Sequence, residues 1–179
     1  MEQFTFTDKH KKVSFGLIGI GLIALLYGIF SGQGERTWVS AMINGWYFFS
    51  IGLAATFFIA MNMASQSGWF VIFKRLFEAL NMFLPIGSIM LLIVFAGATF
   101  HWTHMYHWMD STLMDPQSEH FDFLIANKEP YLNLPFWWLR IILLLGVWNL
   151  FAFLFRKRSF VEDEEAKPKK WFKKNITLA

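Results

Sequence analysis

The stretch from Phe70 to Phe100 is apolar almost throughout, and as a helix it would be about 45 Å long. The hydrocarbon core of a bilayer is only about 30 Å thick. Three more runs of membrane-crossing length accompany it, at about Val13–Phe30, Trp38–Met63 and Pro135–Phe155. Only 16% of the residues are charged while 55% are hydrophobic, against about 25% charged in an ordinary soluble domain. A chain of this kind folds in lipid. The sequence therefore predicts an all-α integral membrane protein, with four transmembrane helices forming an antiparallel bundle and a short amphipathic surface helix in the outer loop.

Lys9, Lys11 and Lys12 precede the first run as they would in a signal peptide. Ser31-Gly32-Gln33-Gly34 follows it in place of a small-x-small cleavage site, and further spans come after, so the run reads as a retained anchor. It is studded with Gly16, Gly19, Gly21 and Gly28, which would permit close helix approach. The second run carries Gly52, Thr56, Ala60 and Ala64 every four residues. That stripe is expected to form a packing face, with Phe49, Phe57 and Phe58 pointing elsewhere. Asn44 and Asn62 stand near its ends.

The long third run begins beyond the lipid. Its Lys74, Arg75 and Glu78 are spaced to meet on one helix face at the cytoplasmic boundary. Pro85 lacks an N–H and should kink the helix there, eased by Gly87 and Ser88. After it comes an outer loop, 101–134. Asp115-Pro116 has the form of a helix start, and Phe121, Phe123, Leu124 and Ile125 beside Glu119 and Asp122 mark the amphipathic helix, which Glu129-Pro130 should end. Trp137 and Trp138 open the fourth run like an aromatic belt. Arg156-Lys157-Arg158 closes it, and residues 156–179 read as a basic linker. Lysines and arginines concentrate in the 1–12 tail, the second turn and the 156–179 linker, which places both termini in the cytoplasm.

Two clusters and one arginine could carry chemistry. On a helix, His101, His104 and His107 would step by about 60° each and cover a third of the circumference, with Asp110 following them in sequence. Such a face could bind metal, handle protons or meet a quinone headgroup, and equally could be an amphipathic rim at the headgroup zone. Nothing there has a zinc-site spacing. The absence of cysteine removes thiolate zinc, iron–sulfur and covalent haem c sites from this chain. Glu78 could admit protons from the cytoplasm or simply pair with Lys74 and Arg75. Arg140, near the outer interface with Tyr131, could pair with Asp110 or another loop acid, donate to a quinone carbonyl, or snorkel.

Four stretches carry a family resemblance. FTFTDKHKKVSFGLIGIGLIALLYGI, SGWFVIFKRLFEALNMFLPIGSIMLLIVF, the HWTH and YHW segment, and YLNLPFWWLR with its basic stop resemble the ActF-like (NrfD-like) integral membrane subunits of bacterial alternative complex III. The resemblance spans the chain and is most specific in the two middle stretches. It implies a multi-pass subunit of the bacterial inner membrane that binds no cofactor of its own. Its partners would be an ActC-like subunit, an iron–sulfur subunit and c-type cytochrome subunits, with a terminal oxidase as one electron acceptor. Quinol, haem c and iron–sulfur clusters would belong to those partners. Members of the family are about twice as long, so either the chain is an N-terminal portion that leads to a second bundle or it is a shortened relative. Glu78, His101, His104, His107, Asp110, Tyr131 and Arg140 then become candidate proton-path or quinol-facing residues, with no catalytic residue and no metal ligand.

Overall fold

A computed structural model describes residues 7–32, 34–115, 117–165, 174 and 176–178. Among the described residues there is helix but no strand. The long helices are α1 (Asp8–Phe30), α2 (Gly34–Ala64), α3 (Phe70–Leu80), α4 (Phe83–Thr99) and, after the one-turn α5 (Phe123–Ala126), α6 (Leu134–Glu165). α1, α2, the α3–α4 pair and α6 are each long and apolar enough to cross a membrane. The chain is therefore a multi-pass, all-helical membrane protein, as the run lengths predict. The α1–α2 turn and the outer loop lie at one end, joined by Glu35, while the α2–α3 turn and the end of α6 lie at the other.

The centre is the antiparallel contact of α2 with α4, and glycine makes it possible. Glycines of one helix make room for the other: Gly97 and Gly45 receive the side chains of Trp38 and Leu91, while Gly87 and Gly52 admit the backbone at Phe49 and Leu84. The partner numbers fall along α4 as they rise along α2, so four contacts hold one register over the full span. In lipid, where apolar surface gains nothing by leaving the solvent, such close van der Waals approach drives helix association. Phe49 is thus a core residue, contrary to the expectation that it points away. The stripe of small residues is correct at Gly52 and Thr56, which are buried, whereas Ala64 at its end is exposed. The contact rows follow Gly45, Phe49 and Gly52, a mixed large–small face that a count of small residues alone does not reveal.

The long third run breaks one turn before Pro85. α3 ends at Leu80 and α4 starts at Phe83, so Pro85 sits in the first turn of α4. A helix through Pro85 would need its absent N–H to reach the carbonyl of residue 81. The chain instead closes a tighter turn, with Leu84 N–H donating to that Asn81 carbonyl at 3.1 Å. The Asn81 side chain is buried at the break. Its Oδ1 accepts from Thr56 Oγ1 at 3.0 Å and its Nδ2 donates to Ala152 O at 3.5 Å, tying α2 and α6 to the junction. A turn and a half further on, Asn149 of α6 donates to Ser88 of α4 at 2.7 Å. Neither asparagine stood out in the sequence.

α1 is the exception to this packing. None of its residues is buried, and a Cβ at Gly16, Gly19 or Gly21 would meet nothing within 4 Å. Only Gly28 meets α2 closely, against Thr37. α6 runs on past Arg156–Arg158 to Glu165, because nothing in Ser159–Glu165 breaks a helix and its acids find cationic partners on α3. Residues 1–6, 33, 116, 166–173, 175 and 179 lie outside the described residues, and with them part of the expectations for the tail, the Asp115-Pro116 helix start and the linker.

Replacing Gly87 with Ala places a methyl against the Phe49 backbone and should cost about 1–3 kcal/mol, lowering the thermal unfolding midpoint in detergent. Gly16→Ala should leave it unchanged or slightly higher, since that face is open. Equal effects of the two substitutions would mean that the α2–α4 contact does not limit stability.

Candidate functional site at the outer loop

α4 ends in a turn that fixes where the histidines go. Trp102 N–H bonds back to Gly97 O at 2.9 Å and His101 N–H to Ala98 O at 3.2 Å, the pairing of a Schellman stop. The residue between must take a left-handed conformation, and here it is His101, at φ 56°. Glycine usually fills that position; histidine tolerates it better than most residues but at a cost. α2 ends in the same way at Gln66, also at φ 56°, with Ser67 N–H bonded to Asn62 O. The helix that would carry His101, His104 and His107 on one face therefore does not exist. Residues 100–106 are turn and extended chain, followed by a single 3-10 turn, His107–Met109.

The loop nevertheless gathers the same residues. His101, His104, His107 and Asp110 line one cavity of about 180 Å³, together with Ala98, Thr103, Tyr106 and Met109. A second, wider concavity of about 580 Å³ shares His107 and Asp110 and adds Glu119, His120 and Asp122. Among the described residues, no three of these side chains converge as metal ligands would.

Two anchors hold this loop, and neither is conspicuous in the residue pattern. Glu35, in the first turn of α2, accepts from Thr103 Oγ1 at 2.7 Å and from the His104 backbone N–H at 2.9 Å, one bond to each carboxylate oxygen. Its signal was only an acid in a helix first turn. The other anchor is aromatic. Trp137 has ring centroids within 5.3–5.9 Å of Phe95, Tyr106, Trp108 and Trp138. Trp138 Nε1 donates to Thr99 Oγ1 at 3.1 Å. The Trp137–Trp138 pair is thus half-buried at the start of α6 and clasps the loop to α4 and α6. Burial in this clasp pushes the Tyr106 hydroxyl above its ordinary pKa.

Asp110 does not reach Arg140. Its Oδ1 accepts from the Thr112 backbone N–H at 3.0 Å and from the Thr112 hydroxyl at 2.8 Å. Those bonds, with a smaller contribution from His107 and His101, hold its carboxyl below the usual range. Arg140 instead donates to the Tyr131 carbonyl at 2.9 Å and lies over the Tyr131 and Phe136 rings, 3.7 and 4.6 Å from their centroids. Among the described residues it forms no ion pair with an acid. Tyr131 and Arg140 therefore form a unit of their own, absent from the lining of the histidine cavity. Asp115 makes an Asx turn with Gln117 N–H. The amphipathic segment shrinks to α5, capped by Asp122 through the Leu124 and Ile125 N–H groups and ending at Ala126, before Glu129-Pro130.

At the other end of the bundle, Arg75 pairs with Glu78 at 2.5 Å and also with Asp163, while Lys74 pairs with Glu162 at 3.1 Å. Lys74 thus turns to α6, where one common face with Glu78 was expected. Glu78 is buried, and its second oxygen lacks a hydrogen-bond partner among the described residues. Between the two ends the axis is filled by Leu84, Leu91 and Val94, each essentially inaccessible.

No protein-family model matches this chain, and no curated protein is similar to it. The fold and the cavity define a multi-pass helical membrane protein with a structured, histidine-lined loop.

Two outcomes follow for the loop. His101→Gly relieves the left-handed strain and should raise stability by about 1 kcal/mol, read as a higher unfolding midpoint; a fall would mean that the imidazole itself holds the turn. For Asp110, a carboxylate with a lowered folded pKa contributes stability that is complete above its unfolded value of about 3.9 and lost as pH falls through the folded value. Hydrogen exchange of the Thr112 amide should therefore stay slow from neutral pH down to about 4 and quicken only below, whereas Asp110→Ala should already exchange fast at neutral pH.

Proposed function

We propose that this chain is a membrane subunit of a respiratory quinol-oxidising complex of the alternative complex III kind, free of cofactors of its own. It supports electron transfer from quinol to a periplasmic cytochrome or a terminal oxidase. In this reading it lies in a bacterial inner membrane with both termini cytoplasmic and the histidine loop outside. The proposal rests on the sequence resemblance and on one structural observation: four polar side chains, His101, His104, His107 and Asp110, line a single cavity beside Tyr106 where the helices meet the outer rim. Such a cavity offers hydrogen-bond donors and proton acceptors to a quinol headgroup or to the protons released on its oxidation. The bare surface of α1 provides room for ActC-like, iron–sulfur and cytochrome subunits to pack.

A second reading, a scaffold with no part in quinol or proton traffic, is favoured by the middle of the bundle. Thr56, Asn81, Ser88 and Asn149 bond to one another and to backbone, which locks helices together. Glu78 is held by Arg75. A proton path between the two ends would need groups from a neighbouring subunit.

The chain, isolated in mild detergent from its native membrane, should carry haem c and iron–sulfur absorption with it, and quinol oxidation by those membranes should fall at least about ten-fold, the scale of a general acid–base contribution, in the triple variant His101→Gln, His104→Gln, His107→Gln. A solitary, colourless protein would overturn the first reading. Copurification with unchanged quinol oxidation would leave the scaffold reading standing.

A further inference from the structure

A cleft between α1 and α2 lies apart from the histidine loop. Below the close contact of Gly28 with Thr37 the two helices leave a cleft of about 440 Å³, lined also by Phe48 and by Met90 of α4. Its α1 wall is Gly21, Ala24, Leu25 and Gly28, so little side chain intrudes. At its outer end stands Arg36, exposed, which forms no ion pair among the described residues. Ser40 and Asn44 follow one and two turns below it.

We propose that this cleft binds one anionic phospholipid from the leaflet on the hairpin side, with its phosphate on Arg36 and one acyl chain along the α1–α2 gap. Three features select that occupant. The cleft runs from Arg36 to Phe48, about 18 Å of helix and close to half the roughly 30 Å hydrocarbon core. That is the depth an acyl chain fills in one leaflet. The charge sits at the headgroup end only, with the Ser40 hydroxyl and the Asn44 amide beneath it, where the ester carbonyls of a lipid lie, and apolar walls deeper still. The α1 wall adds little side chain at Gly21, Ala24 and Gly28, which leaves a gap suited to the width of an extended acyl chain. The site accounts for a helix otherwise unburied in the protein, because the lipid would fill the space that separates α1 from α2.

Native mass spectrometry of the full chain, delipidated and then titrated with phosphatidylglycerol or phosphatidylcholine, tests this. One phosphatidylglycerol should be retained per chain in preference to phosphatidylcholine. Arg36→Gln should reduce that preference about five-fold, the worth of one basic residue at a lipid surface. Ala41→Trp, which fills the cleft, should abolish retention of both lipids. Circular dichroism confirms that each variant keeps its helix. A control variant with Lys9, Lys11 and Lys12 changed to Gln, at the opposite end, should bind as wild type. Retention that is equal in wild type and both cleft variants, or lost only in the lysine control, would overturn the proposal. So would a dimer that Ala41→Trp dissociates, since the occupant would then be a second copy of the chain.

Discussion

The close approach of α2 and α4 is the contact on which the other features depend. Without Gly45, Gly52, Gly87 and Gly97 the residues facing them would hold the helices apart, and the packing that replaces hydrophobic burial in lipid would be lost. Because the contacts extend from Trp38 to Leu84, they also fix the height of both helix ends. The α4 stop at Phe100–His101 and the α2 start at Glu35 are thereby brought level, which allows Glu35 to take hold of Thr103 and the His104 amide.

The loop is therefore a consequence of the core and not an appendage to it. Left alone, a segment with so few regular elements would have no defined shape. Here a carboxylate clamp on one side and the Trp137 cluster on the other fold it down on the bundle end, and the histidines come together around a cavity without any helix to space them. The polar residues in the bundle interior serve a comparable purpose. Asn81 occupies the break that Pro85 enforces and uses its amide to bind two neighbouring helices. A helix interruption in lipid is tolerable when the freed groups find partners within the protein.

Two of the expectations that failed share a cause. The expectation that Phe49 points away and that of a common face for Lys74 and Glu78 were each inferred from local spacing. Each was decided by a partner distant in sequence: Gly87 of α4 against Phe49, and Glu162 of α6 against Lys74. Glu35, Asn81 and Asn149 were missed for the same reason, since a single polar residue has no pattern until its partner is known. The common histidine face gives way to a local feature, the Schellman stop that ends α4.

What the sequence determined by itself is the number of spans and the two polar ends, because those follow from run length, charge and the thickness of the bilayer, none of which needs a contact. Tertiary structure alone decided which glycines bear the packing, where the third span breaks, and that the histidines share a cavity. These depend on side chains from different helices meeting at a few ångströms, and the periodicity of one helix carries no record of what the next will place against it.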